Sequence, residues 1–270
     1  MDIENLSKEQ FQEFLDIANQ GNAQAQYLIG NLYYEGLSVE QSNTEAVKWL
    51  TKAAEQGYAD AQYKLSELYG KGHGVPQSYD VMAKLRRMAA LQGHIKAQTR
   101  LGIAYSLGEG VRKSDEEAKD WLTRAAGKGD ADARFNLGVL YFYGHVIPQS
   151  LKTAVEWFKL SANQGLPEAQ EFLEKAEKFI LLEDKRSQLL KESLQTSDIE
   201  EKKQIWAEIK EIDREKDRLK GIEPEEEPKD NLQNNSSNSK GSGSGCMVLF
   251  ALMLSPIVAA GCYCVYSLLS

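Results

Sequence analysis

Cysteine is almost missing from this 270-residue chain, and the three it has, Cys246, Cys262 and Cys264, all lie near the carboxyl end. The region before Gly245 therefore offers no thiol for a disulfide or a soft metal site, which argues against the disulfide-stapled secreted class. Basic charge is also short. Lys and Arg number 32 against 40 Asp and Glu, a formal net charge of -8, so there is no electrostatic footprint for nucleic acid. Histidine is scarce: His73, His94 and His145 sit in separate turn segments, none with a cysteine or carboxylate at metal-ligand spacing. No G-x-S-x-G nucleophile motif occurs, and no Lys-Ser or Lys-Thr follows Gly72-His73-Gly74 to make it a phosphate loop. The expectation is a protein without catalytic residues, metal or cofactor. The first residues, Met1 to Asn5, lack the basic and then apolar profile of a cleavable signal, so the bulk of the chain is expected in the cytosol.

What is present is a repeat. At an offset of 36 residues, Gly21, Gly57, Gly93, Gly129 and Gly165 align, as do Ala18, Ala54, Ala90, Ala126 and Ala162. Further columns hold Ala25, Ala61, Ala97, Ala133 and Ala169, then Tyr33, Tyr69, Tyr105 and Tyr141, then Gly36, Gly72, Gly108 and Gly144. Independent columns sharing one period define a repeat architecture. Within a unit, Ala25, Ile29 and Tyr33 form an apolar helical stripe stopped by Gly36, which predicts a helix A. Helix B opens at Ser42, Ser78, Ser114 or Ser150, whose hydroxyls can cap it; Ser42 with Glu45 and Ser114 with Glu117 fit a reciprocal capping box. It carries Ala46, Trp49 and Ala53 on one face and ends at the Gly57 column. The indoles Trp49, Trp121 and Trp157 share a column, as core residues would. No unit can bury its apolar face alone, so units must stack.

These columns resemble the Sel-one-like repeats, relatives of the tetratricopeptide class. The third unit carries the likeness most fully: Ala97, Leu101-Gly102, Tyr105, Gly108, Gly110-Val111, then Ala118, Trp121, Ala125-Ala126 and Gly129. Departures are local. Ser66 stands at the helix A glycine, Leu85 in the Trp49 column, and Ser38 and Val146 at the second loop glycine. The resemblance implies an all-α, right-handed superhelical solenoid of antiparallel helix pairs whose concave surface grips another protein. Cysteine-rich secreted relatives that act on cell-wall compounds carry paired cysteines absent here, so an enzyme acting on such glycan material is a remote alternative.

The resulting organisation is a capping helix in 1–21, then four repeats at about 22–57, 58–93, 94–129 and 130–165 with a closing helix, together 22–180. Segment 181–220 reads as a charged helical stalk. Its Leu189, Leu190 and Leu194 precede a break at Thr196-Ser197-Asp198, and Ile205, Ile209, Ile212 and Leu219 come after it, a spacing for an amphipathic or coiled-coil hairpin. Such a hairpin would either cap the last repeat or pair with a second copy as a homo-oligomer. Segment 221–245, acidic and then rich in Asn, Ser and Gly, reads as a disordered tether. Segment 246–269 is uncharged and long enough to cross a hydrocarbon core of about 30 Å as one transmembrane helix. The expected localisation is a membrane, single-pass through a C-terminal anchor, either tail-anchored in a eukaryote or in a bacterial inner membrane. Cys246 at the boundary is a candidate for lipidation.

With helix A columns 25, 29 and 33 pointing inward, positions equivalent to 27, 28, 31, 34 and 35 should face away from that core. Tyr27, Tyr34, Tyr63, Ile103, Phe135, Val139 and Phe142 are accordingly the candidate partner-binding residues, since exposed aromatic and aliphatic side chains at repeated positions are common hot spots. The same residues could instead pack on the neighbouring helix B. The leading reading is a membrane-anchored adaptor that captures a protein partner, with a constitutive structural subunit of a membrane complex as the alternative.

Overall fold

The structure, a computed structural model, describes residues 6–144 and 150–222. They belong to one unit, Met1–Pro224; a second unit, Glu225–Ser270, lies outside them. Eleven α-helices and no strand are found among the described residues. In chain order they are α1 (Lys8–Asn19), α2 (Ala23–Glu35), α3 (Asn43–Glu55), α4 (Ala59–Lys71), α5 (Tyr79–Leu91), α6 (Ile95–Leu107), α7 (Asp115–Gly127), α8 (Ala131–Tyr143), α9 (Leu151–Ala162), α10 (Pro167–Gln195) and α11 (Ile199–Leu219). The helices pack chiefly on their neighbours in sequence, the signature of a solenoid. Helices α2, α4, α6 and α8 are the A helices of the four units, and α3, α5, α7 and α9 the B helices.

Local chemistry fixes each boundary. The A helices stop at Gly36, Gly72, Gly108 and Gly144, all left-handed with φ of 72°, 71°, 80° and 66°, a conformation glycine adopts without a Cβ clash. The B helices open at Ser42, Ser78, Ser114 and Ser150, whose hydroxyls accept the N–H three residues on. The expected reciprocal capping box does not form at Ser42 or Ser114. Their own N–H groups already donate to the carbonyls of Tyr33 and Tyr105, leaving nothing for Glu45 or Glu117 to accept, and Glu45 instead pairs with Lys48 at 2.6 Å. The complete box belongs to Ser7 and Gln10, at the start of α1.

Packing within a unit depends on a small residue in helix A. A Cβ at Gly30, Gly102 or Gly138 would lie 2.7, 2.7 or 2.5 Å from Leu50, Leu122 or Phe158 on the paired helix B. The large side chain fills the space the glycine leaves, and Ile29, Leu50, Leu101, Leu122, Leu137 and Phe158 are all buried, in successive apolar clusters along the repeats.

The chain does not break at 180/181. Position 180 continues the glycine stop column but holds Ile180, so α10 runs on without interruption to Gln195. Helix α11, capped by Asp198 through the N–H groups of Glu200 and Glu201, folds back along it. Leu189, Ile209 and Ile212 form the hairpin core, flanked by ion pairs Arg186–Asp213 (2.8 Å) and Lys185–Glu208 (2.6 Å). Leu194 does not join that core; it lies one turn from the bend and is 85% exposed. Leu219 packs back against the cluster of Phe142, Phe158 and Phe179, so the hairpin closes the last repeat. No helix among the described residues is long and apolar enough to cross a membrane. Apart from Gly221 and Ile222, which close the end of α11 through backbone bonds to Arg218 and Asp217, the expected tether and the transmembrane segment, with Cys246, lie outside the described residues, as do His145 and Val146.

Candidate partner-binding face

The A helices present one row of side chains to open grooves between successive units. Tyr27 and Tyr63 line the first groove with Asp60, Lys64, His94 and Ile95. Ile103 borders two others, one shared with Arg86 and Arg100 and one with Phe135 and Asn136. Val139 lines a fourth with Leu107 and Tyr143. Tyr34 is held under the Lys64 ammonium, whose Nζ lies 4.2 Å from the ring centroid, and stacks against His73.

Six of the seven residues expected on this face are thus half-buried, and five of them, Tyr34 excepted, stand at groove walls. Each presents one edge while its body packs on a core cluster: Tyr27 and Tyr34 on one, Tyr63 and Ile103 on another, Phe135 and Val139 on a third. These positions are therefore partly packed and partly exposed. Phe142 is the correction. It is fully buried, in edge-on contact with Phe158, Phe172 and Phe179. The long α10 covers this position, whereas the equivalent Tyr34 and Ser106 remain half-buried.

The face is polar where the second and third units meet. His94 serves as N-cap of α6: its Nδ1 accepts the N–H of Ala97 at 3.0 Å, and its Nε2 lies 3.2 Å from Asp60 Oδ1. Its ring stacks on Tyr63 at 4.7 Å. Burial pushes the imidazole pKa below the usual histidine range, with Asp60 opposing. The Tyr63 hydroxyl donates to Glu67 at 3.3 Å, and burial followed by the Glu67 charge raises its pKa.

Arg86 carries a signal that the shared columns hide. It occupies the column of Leu50, Leu122 and Phe158, a core position in every other unit. Columns reveal what the units have in common, and a position where one unit departs from the rest in chemistry is visible only as an exception. Among the described residues no group of His, Cys, Asp and Glu is arranged to hold a metal ion.

Stacked helix pairs, each packed chiefly on its neighbours in sequence, define a helical-repeat protein. A family model described as Sel1 repeat matches residues 23–58, 59–94, 95–130 and 131–166, each frame one residue later than the glycine column suggests. Those matches cover more than half of the chain, and the protein belongs to the Sel1 repeat family. Among solved structures it is similar to a Sel1 repeat protein from Oxalobacter formigenes, at 37% identity and a TM-score of 0.59, over 62% of this chain and 68% of that one. It is also similar to a protective antigen of uropathogenic Escherichia coli strains that displays an SLR fold, at 32% identity and a TM-score of 0.60, over 64% of this chain but only 37% of that one. No curated protein matches the sequence.

Proposed function

We propose that this protein is a non-enzymatic scaffold that holds a protein segment along its helix A face while a C-terminal helix anchors it to a membrane. The observation that carries the reading is the row of half-exposed side chains from Tyr27 through Tyr63 and Ile103 to Val139, each at the wall of a groove between units. Membership of the Sel1 repeat family supports protein binding. The membrane half rests on sequence: 246–269 carries no charge and comes after a stretch of Asn, Ser and Gly. Confinement beside a membrane raises the effective concentration of whatever the solenoid holds. In this reading the repeats form a right-handed superhelix facing the cytosol.

A second reading has one observation in its favour. Leu181, Leu194, Ile199 and Trp206 on the α10–α11 hairpin are all large, apolar and exposed, a surface suited to self-association or to permanent assembly in a membrane complex. Size-exclusion in mild detergent separates the two, since a constitutive subunit runs as one large peak.

The test is proximity labelling from the full-length chain, compared with an Ile103→Ser, Val139→Ser double variant. Loss of a small labelled set, with membrane fractionation and helical circular dichroism unchanged, supports capture on this face. An unchanged labelled set refutes it, and recovery of the wild-type chain in carbonate-extractable fractions refutes the anchor.

A further inference from the structure

The second unit departs from the others at a cluster of positions. Where the first, third and fourth units place Leu50, Leu122 and Phe158, buried against a glycine, the second places Arg86, and the glycine column holds Ser66. Met82 replaces the alanine of Ala46, Ala118 and Ala154. Gly70 stands where Tyr34, Ser106 and Phe142 put side chains, so nothing rises from α4 to cover the groove there; a Cβ would already lie 2.8 Å from Met82 Sδ.

The result is a half-buried guanidinium in the wall of an open groove lined by Glu67, Met82, Arg100, Ile103 and Glu109. Arg86 Nε is buried and has no hydrogen-bond partner among the described residues. Neither Arg86 nor Arg100 forms an ion pair among the described residues, and Arg100 sits beside the Tyr63 hydroxyl. Burial is the largest influence on Arg86 and disfavours its charge, and Arg100 adds to that penalty; Tyr63, then Glu67 and Glu109, favour it. A cation placed in a hydrophobic column, desolvated and beside a second cation, is costly unless an anion completes it.

We propose that this groove is a carboxylate-reading pocket, in which Arg86 and Arg100 receive the side chain of an Asp or Glu from the bound segment while Ile103 takes an adjacent apolar residue. The planar guanidinium suits a carboxylate, with parallel N–H donors matched to its two oxygens. Arg86 supplies a fixed and partly desolvated donor from the core side, and Arg100 an exposed one from the solvent side. The inference rests on the scaffold reading only in taking the ligand to be a protein segment.

The test uses the full-length chain in detergent micelles and a random dodecapeptide library. Selected sequences are synthesised with amidated C-termini, so that only side-chain carboxylates remain, and titrated by fluorescence anisotropy against wild type, Arg86→Leu and Arg100→Gln. Arg86→Leu removes the guanidinium, but Ser66 rather than a glycine faces that column in this unit, so its thermal unfolding midpoint is recorded as a control; Arg100→Gln alters an exposed residue and guards against a folding defect. The expected result is an acidic residue shared by the selected peptides, and at least tenfold weaker binding by either variant. Changing that residue to its amide should weaken wild type equally and leave Arg86→Leu unaffected. Peptides without a common acidic residue, or equal affinity for wild type and Arg86→Leu, overturn the proposal. If such peptides remain sensitive to Ile103→Ser and Val139→Ser, the scaffold reading survives; if no peptide depends on any of these positions, both fall.

Discussion

The side chain of Gln92 donates to Oε1 of Gln62 across 2.8 Å, joining the end of one unit to the first turn of the helix before it. Gln62 is buried and in turn donates to the carbonyl of Ala54. The first unit repeats the link, Gln56 to Gln26 and Gln26 to Ala18. A fixed polar ladder thus runs beneath the alanine column and satisfies carbonyls at the ends of the B helices, groups that burial would otherwise leave orphaned.

The ladder fails at its third rung. Gln98 donates to Ala90 at 3.0 Å, but its Oε1 is buried without a partner, because Lys128 replaces the glutamine and directs its ammonium to the carbonyl of Gly93. Lys128→Gln is expected to restore the rung. A recovered buried hydrogen bond contributes about 1 kcal/mol, more than the exposed lysine contact it replaces. A rise in the urea unfolding midpoint is the predicted outcome, and no rise would mean that solvent already satisfies Gln98.

Two glycines in helical turns should respond oppositely to alanine. Gly102→Ala places a Cβ 2.7 Å from Leu122 Cγ and 3.1 Å from the carbonyl of Ala118, which forces the two helices apart at a cost of roughly 1–3 kcal/mol. Gly127→Ala, at the end of α7, meets nothing within 4 Å and gains up to about 1 kcal/mol of helix propensity. Thermal unfolding of the two variants should therefore bracket the wild type.

Periodicity made the solenoid legible because the columns that define it, such as Ala25, Tyr33 and Gly36, are residues whose size or backbone freedom the stacking requires. The same reasoning could not divide a groove wall from a core, since Tyr27 and Phe135 do both. It misplaced Phe142 because exposure there depends on the helix beyond the last repeat. Ile180 in a glycine column was the available clue: a helix that does not stop reaches back over its neighbour. Arg86 was missed for a related reason, being legible only as an exception within a column.

Phe142 should therefore behave as a folding residue. Phe142→Ser removes a buried ring that touches Phe158, Phe172 and Phe179 and leaves a hydroxyl in their place, a loss of about 3–5 kcal/mol by comparison with large-to-small core substitutions. Increased protease cleavage of the last unit and the hairpin is expected, with the first two units protected. Equal protection throughout would return Phe142 to the surface.

His94 should make stability depend on pH near neutrality. Its Nδ1 can accept the Ala97 N–H only while unprotonated, and burial lowers its folded-state pKa despite Asp60. The unfolded chain, with an ordinary histidine pKa of about 6.5, then binds a proton more readily than the folded one. Stability from this group is therefore complete above about pH 6.5 and is lost as pH falls through the depressed folded value. The equivalent caps in the first and fourth units, Asn22 and Asp130, accept the same bond from Ala25 and Ala133. Asn22 shows that an amide can serve there without titrating. His94→Asn should accordingly keep the cap and flatten the unfolding midpoint between pH 7 and 5.5 relative to wild type. If the two profiles stay parallel across that window, the imidazole is not titrating out of its cap, and the carboxylates of the surrounding face account for whatever slope remains.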